Sequence, residues 1–278
     1  MFIHYFIPQR IAFSFGPVNI YWYGLIIASA ILLCLAAAIF LLRRQGDKTD
    51  DIYELTFWAV VWAVVWARLY DVLIVDWAYF SHRPQEIIAV WQGGMAIHGA
   101  IIGGIVALLL WCLWKKKPVW PWLDLGVVVL PLGQALGRFG NYFNNELFGR
   151  PTDLPWGIPI PESLRPEQYL SSQYFQPLFL YESLLNFVLF LLLFFSYKKK
   201  LFRPGQYLSL YFMGYGLIRF VMEFLRFDAT AMIYGLRWPQ VLSFILFLFG
   251  VILFFIKNQD SFLVPFSKRK VPPKSRDR

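Results

Sequence analysis

The chain has 278 residues, of which 58% are hydrophobic, 20% aromatic and only 15% charged, with a mean hydropathy of +0.52. A water-soluble protein of this composition would expose apolar patches far beyond what a monomer tolerates, whereas a bilayer accepts such surfaces and needs about 20 apolar residues per helical crossing. The net charge of +9 does not point to nucleic acid, because the basic residues form short clusters between apolar runs and no continuous stripe.

The first predicted membrane helix covers 20–42 and opens on "YWYGL", with Tyr23 at the interfacial end where tyrosine is common. Its apolar run lacks a basic flank before it and exceeds a signal-peptide core, so it is expected to stay as a span. The second span covers 54–75, and within it Arg68 and Asp71 are spaced to pair. The third, 93–114, contains "MAIHGAIIGG"; its glycines offer small faces for helix contact, and His98 is the one histidine in an apolar stretch. His4 and His82 fall in flanking loops, so a metal site is not expected. A fourth span at 119–139 runs into a stretch, 140–176, too rich in aromatic and apolar residues to be disordered and read as a small folded cap. Spans at 177–197, 206–226 and 239–256 complete seven, followed by a basic tail at 257–278 whose prolines argue for disorder. Cys34 and Cys112 both lie in apolar segments and are read as packing residues.

Most of the 26 Lys and Arg residues follow the first, third, fifth and seventh spans. The positive-inside rule therefore puts the C-terminus in the cytoplasm, the N-terminus outside and the cap between helices 4 and 5 on the outer face. The expected fold is a single polytopic all-α membrane domain of seven transmembrane helices, with no internal repeat and no second soluble domain.

Arg68, Arg138, Arg219 and Arg226 lie inside or at the ends of spans. Inserting such a charge costs about 2.5–3.5 kcal/mol, so each marks a function or a buried pair. Arg138, with Asn141 and Glu146, sits where a helix reaches the outer headgroups; a planar, permanently charged guanidinium suits a phosphodiester there. Gly137 and Gly140 flank it and are expected to let a headgroup approach the backbone. In "YGLIRFVMEFLR", Tyr215, Arg219 and Glu223 recur every four residues, drifting only about 40° per step around a helix, so they form one stripe in which Arg219 and Glu223 pair. Tyr181 and Glu182 open the fifth span. No nucleophile elbow, P-loop, HExxH or EF-hand spacing occurs. If chemistry happens here, the substrate brings the nucleophile, and the protein positions it, removes its proton and stabilises a departing phosphate.

The stretch "GRFGNYFNNELFGRPTDLPWG" at 137–157 closely resembles the signature of the bacterial prolipoprotein diacylglyceryl transferases, and "WYGL", "HGAIIGG", "LYE" and "YGLIRFVMEFLR" join it in the family's order. The resemblance implies a seven-span inner-membrane enzyme that needs neither metal nor cofactor. Such an enzyme moves the sn-1,2-diacylglyceryl group of phosphatidylglycerol to the lipobox cysteine thiol of a prolipoprotein signal peptide, forming a thioether and releasing glycerol phosphate. It further implies that Arg138 and Arg219 engage the phosphate, and that His98, Tyr23, Asn141, Glu146, Gly149, Tyr215 and Glu223 occupy positions important to the family. A free thiol has a pKa of about 8.5, so a cationic pocket or a base must favour the thiolate. His98 is placed ahead of Glu146 and Glu223 as that base, on the ground that a carboxylate paired with arginine is a poor one. The chain departs from the family at Ala100, where a glycine is common, and at Gln176, where a histidine is common. The competing readings are a small-solute transporter, which would place its charges at the midplane in broken helices, and a lipid-binding paralogue without the transfer.

Overall fold

The computed structural model describes residues 2–16, 18–227 and 230–259; the basic tail read at 257–278 lies outside the described residues from 260 onward. In chain order the elements are β1 (Ile11–Phe15), β2 (Val18–Tyr21), α1 (Trp22–Gln45), α2 (Asp50–Tyr70), α3 (Trp77–His82), α4 (Ile97–Trp114), α5 (Val119–Phe143), β3 (Ile158–Pro159), β4 (Tyr174–Phe175), α6 (Leu178–Lys198), α7 (Gln206–Glu223), β5 (Met232–Ile233), β6 (Leu236–Arg237) and α8 (Trp238–Gln259). All seven apolar runs form helices, with ends within a few residues of those expected.

Six of these helices, α1, α2, α4, α5, α6 and α8, are long and apolar enough to cross a bilayer. The 18-residue α7 is not among them, because Gln206, Ser209, Tyr215, Arg219 and Glu223 dilute its apolar residues. Leu32, Leu33, Leu109, Leu110, Ile245, Phe249 and Ile252 all point outward. A mostly helical chain with such surfaces is what an integral membrane protein of the all-α class requires, since helices satisfy their own backbone and leave apolar side chains for lipid.

The chain divides into two compact units, Ala38–Leu125 and the remainder. Within Ala38–Leu125, α2 and α4 pack backbone to backbone. A Cβ at Gly99 would lie 2.2 Å from the Trp66 carbonyl oxygen and one at Gly103 2.3 Å from that of Trp62, so only glycine fits. The α4 helix starts at Ile97, later than the expected 93, because Gly93 and Gly94 take positive φ of 98° and 71°. The connection from α2 to α4 carries one π-helical turn, α3 and two 3-10 turns, none of them expected.

Arg68 holds that connection. Its guanidinium donates to the carbonyls of Glu86 (2.6 Å), Ile87 (2.8 Å), Gly93 (2.7 Å) and Gly94 (2.9 Å) and lies 4.7 Å from the Phe80 ring centroid. The expected partner Asp71 is only at 3.9 Å, so the pair exists but is the weaker part of the arrangement. At the α4–α5 turn, Lys115 pairs with Glu54 at 2.8 Å and Lys117 with Asp51, so lysines read from sequence as topology markers also bind.

In the other unit, α7 and α8 meet closely: a Cβ at Gly216 or at Gly250 would lie 2.8 Å from the Ser243 or Ser209 carbonyl oxygen. Ser183 on α6 donates to the Ala135 carbonyl of α5 at 2.8 Å. The 140–176 stretch is folded, its first residues completing α5. Beyond them β3 pairs antiparallel with β4, and Ile158, Ile160, Phe175 and Phe179 form a small core covered by Tyr142, Leu147, Phe148 and Tyr169. The N-terminal segment is tied to it: Ile3 N–H donates to Pro155 O at 2.7 Å, His4 Nε2 lies 2.9 Å from the Tyr142 hydroxyl, and Asn145 donates to Pro8 O at 3.1 Å. The hairpins β1–β2 and β5–β6 were not expected from the apolar pattern. Both cysteines are free.

Candidate active site

In the unit outside Ala38–Leu125, Arg138, Arg219, Arg226 and Arg237 collect around two carboxylates, Glu182 and Glu223. Arg138 lies in the last two turns of α5, Glu182 in the first two of α6, and Tyr215, Arg219 and Glu223 run along the last three turns of α7. Glu182 has a side chain 3% exposed and bridges two helices: Arg138 Nη2 donates to its Oε1, and Arg219 Nη1 donates to the same oxygen at 3.3 Å. Glu223, 1% exposed, accepts from Arg219 Nη2 at 3.4 Å and from Arg237 Nε at 2.8 Å, with Arg226 Nε at 4.0 Å. The side chains of Arg138 and Arg219 keep 22% and 17% exposure.

The physics of this arrangement follows from burial. A carboxylate taken out of water needs charged donors, and an arginine fork supplies several at once. Here each carboxylate is shared among guanidiniums, so no arginine is matched one to one. The outcome is a chain of alternating charge, Arg138–Glu182–Arg219–Glu223–Arg237, in which Arg138 and Arg219 stay partly exposed.

The expected pairing of Arg219 with Glu223 is present, and Tyr215, one turn from Arg219, stacks its ring on Tyr211 at 5.5 Å. Two expectations need revision. Among the described contacts, Arg138 pairs with Glu182 and not with Glu146; the exposed Glu146 instead accepts from Asn141 Nδ2 at 3.1 Å. Of the two carboxylates ranked behind His98, only Glu223 is paired with an arginine among the described residues. Gly140 does not leave room for a headgroup, because a Cβ there would sit 2.4 Å from the Tyr23 ring, which packs on that backbone. At Gly137 the nearest side-chain atom, Ile27 Cδ1, would be 3.6 Å away, ordinary contact distance.

Gly149 is buried and donates its N–H to the Gln176 carbonyl at 2.8 Å, with Leu178 and Gln176 crowding its Cα. The departure at Gln176 thus engages the loop through backbone atoms. His98 belongs to the unit Ala38–Leu125. It is exposed in the first turn of α4, its ring stacked on Tyr70 at 5.8 Å and without a hydrogen-bond partner among the described residues. The sequence reading missed the organising role of Glu182 and the arrival of Arg237. A glutamate at the mouth of an apolar span is a signal for the first; nothing local marks the second.

Residues 10–256 match the family model described as prolipoprotein diacylglyceryl transferase. The chain belongs to this family. A relative named phosphatidylglycerol–prolipoprotein diacylglyceryl transferase from Synechococcus elongatus is 43% identical over 250 residues, covering 88% of this chain and 86% of its own. Relatives with the same name from Nostoc sp. and Limosilactobacillus reuteri are 41% and 39% identical, covering 85% and 90% of this chain and 84% and 92% of theirs. Membership in the diacylglyceryl transferase family sets aside the small-solute transporter as a reading of the buried arginines.

Proposed function

We propose that this chain transfers the sn-1,2-diacylglyceryl group of phosphatidylglycerol to the cysteine thiol of a prolipoprotein lipobox. The observation that carries the reading is the pair Arg138 and Arg219, brought from separate helices to one buried glutamate. In the proposed reaction the cysteine sulfur attacks C3 of the diacylglyceryl group, a carbon–sulfur bond forms, the C3–O bond to phosphate breaks and glycerol phosphate leaves. The diester phosphate carries one negative charge and the departing monoester approaches two. Two guanidiniums at that phosphate therefore bind the transition state more strongly than the substrate, which is the condition for catalysis.

Arg138 and Arg219 hold the phosphate, and Asn141, Tyr23, Gly149 and Tyr215 shape the headgroup site around it. The thiol proton goes to a base, for which His98 is proposed on the family resemblance carried by "HGAIIGG". Glu223, held by arginines, supports charge placement instead of proton transfer. The protein works in the bacterial inner membrane with seven spans, N-terminus outside and C-terminus cytoplasmic. In support, α7 at 18 residues extends about 27 Å, close to a bilayer core of about 30 Å, and basic clusters alternate along the chain. The small core around Ile158 and Phe175 is proposed as an outer-face cap.

The test is direct: purified protein is incubated with phosphatidylglycerol and a lipobox peptide, and mass spectrometry looks for the diacylglyceryl mass on the cysteine. Folded protein without adduct would leave only a lipid-binding paralogue. Arg138→Ala is expected to abolish the adduct while leaving the protein inserted and folded.

A further inference from the structure

The β5–β6 hairpin delivers a cation that the reaction scheme above does not use. Tyr234 and Gly235, with φ of 46° and 80°, make a two-residue turn with both central residues left-handed, the geometry that closes a hairpin tightly. It places Arg237 immediately before α8. Gln240, three residues on, accepts the Arg237 N–H through Oε1 at 3.0 Å, the backward half of a capping box, and Trp238 N–H donates to Ala231 O at 2.8 Å. With its backbone fixed in this way, Arg237 donates from Nε to Glu223 Oε1 at 2.8 Å and from Nη1 to the Arg226 carbonyl at 3.2 Å.

We propose that Arg237 is a positioning residue for lipid phosphate: by holding Glu223 it prevents Arg219 from being neutralised by its own helix neighbour. The inference rests on the reading of Arg138 and Arg219 as the phosphate-binding pair. Glu223 stands one turn from Arg219 and is almost wholly buried, so without Arg237 it would draw Arg219, nearer at 3.4 Å than Arg226 at 4.0 Å, into a closed pair. Instead its shortest contact is to Arg237, while Arg219 stays at 3.4 Å. On its other side Arg219 shares Glu182 with Arg138. Arg219 is thus held in place from two sides without being saturated by either, and its charge remains directed at an incoming anion.

The experiment measures transfer by the full-length protein in lipid, giving kcat and the KM for phosphatidylglycerol, together with the inhibition constant of glycerol phosphate. Arg237→Gln is expected to raise both the KM and the inhibition constant about tenfold, a change of about 1.4 kcal/mol, with kcat altered less. Arg237→Lys keeps a charge with poorer fork geometry and is expected to shift them by about twofold to threefold. In a Glu223→Gln background, Arg237→Gln should add nothing, because the carboxylate it restrains is no longer charged. Unchanged constants in Arg237→Gln, or a lowered melting temperature with the inhibition constant intact, would reduce Arg237 to a hairpin anchor. An equal effect in the Glu223→Gln background would also overturn the proposal. Should Arg237→Gln not fold, the lysine variant decides, and no shift refutes. Wild-type protein that forms no adduct, or that glycerol phosphate does not inhibit, sinks the phosphate reading itself, a result distinct from inhibition that the variants leave unaltered.

Discussion

Replacing Glu182 by glutamine removes one buried charge and keeps the shape, so it asks what the bridge between α5 and α7 does. In the native protein, Glu182 accepts from Arg138 and, at 3.3 and 3.4 Å, from Arg219. Breaking a buried ion pair by removing one partner costs about 3–5 kcal/mol. The amide retains one acceptor, and both arginines keep a fifth or so of their surface, which lowers the expected loss of stability to about 2–3 kcal/mol. Kinetically the two consequences have opposite signs. A less negative site does not weaken binding of an anionic lipid, so the KM for phosphatidylglycerol should stay level or fall. Two arginines no longer tied to one oxygen lose their joint aim at the departing phosphate, so kcat should fall about tenfold to hundredfold, or about 1.4–2.7 kcal/mol of transition-state stabilisation. Thermal unfolding in detergent and steady-state transfer to a lipobox peptide measure both. A raised KM with normal kcat would mean that Glu182 does not aim the arginines. A lowered melting temperature with kcat intact would mean that it only holds helices together.

Gly140→Ala should displace the Tyr23 ring, since its Cβ would meet that ring at 2.4 Å; overpacking of this kind costs about 1–3 kcal/mol. Adding Tyr23→Ala should restore the melting temperature without restoring transfer, and full recovery of both would remove Tyr23 from the site. Arg68→Lys should loosen the 71–96 connection, because one ammonium does not reach four carbonyls; a loss of about 2–4 kcal/mol of local stability is expected. Hydrogen exchange at residues 84–94 reads this out, and protection equal to the native protein would refute the staple. Gln176→His should leave transfer within about twofold, because the hydrogen bonds of Gln176 run through its backbone and the Cβ that meets Gly149 is kept in histidine; a larger change in turnover would reveal a side-chain role.

The helices were legible because each apolar run is long enough that only a bilayer-spanning or buried helix accommodates it, and because Gly99 and Gly103 recur at the spacing of one helix face. Within the site, Arg219 and Glu223 were legible for the same local reason, a separation of four residues. Glu182 escaped because its partners lie 44 and 37 residues away, on helices whose rotation about their axes the apolar pattern does not specify. Arg237 escaped more completely. Its position depends on a two-residue hairpin turn and a reversed capping bond, and neither leaves a periodic trace. Arg68 illustrates the opposite error: an acidic neighbour three residues on drew attention to a pair, while the chemistry of a buried arginine is dominated by carbonyls from a connection with no regular pattern.

In the proposed phosphate site, buried carboxylates stand beside the arginines that would hold an anion, and the cost of bare arginines explains why. Bare arginines in an apolar setting would be expensive, about 2.5–3.5 kcal/mol each on insertion scales, and their mutual repulsion would spread them apart. Glu182 and Glu223 remove both difficulties, because each anchors more than one guanidinium at a fixed point. The same sharing keeps Arg138 and Arg219 from a one-to-one pairing with Glu182. A phosphodiester with one charge then competes modestly with the carboxylates for those donors, while a departing monoester with nearly two competes better. In the proposed phosphate site, affinity would therefore grow along the reaction coordinate, and a site with no nucleophile of its own would still accelerate the attack of a substrate thiol. A tight one-to-one pairing of arginine and glutamate would have stabilised the helices equally and left nothing for the phosphate.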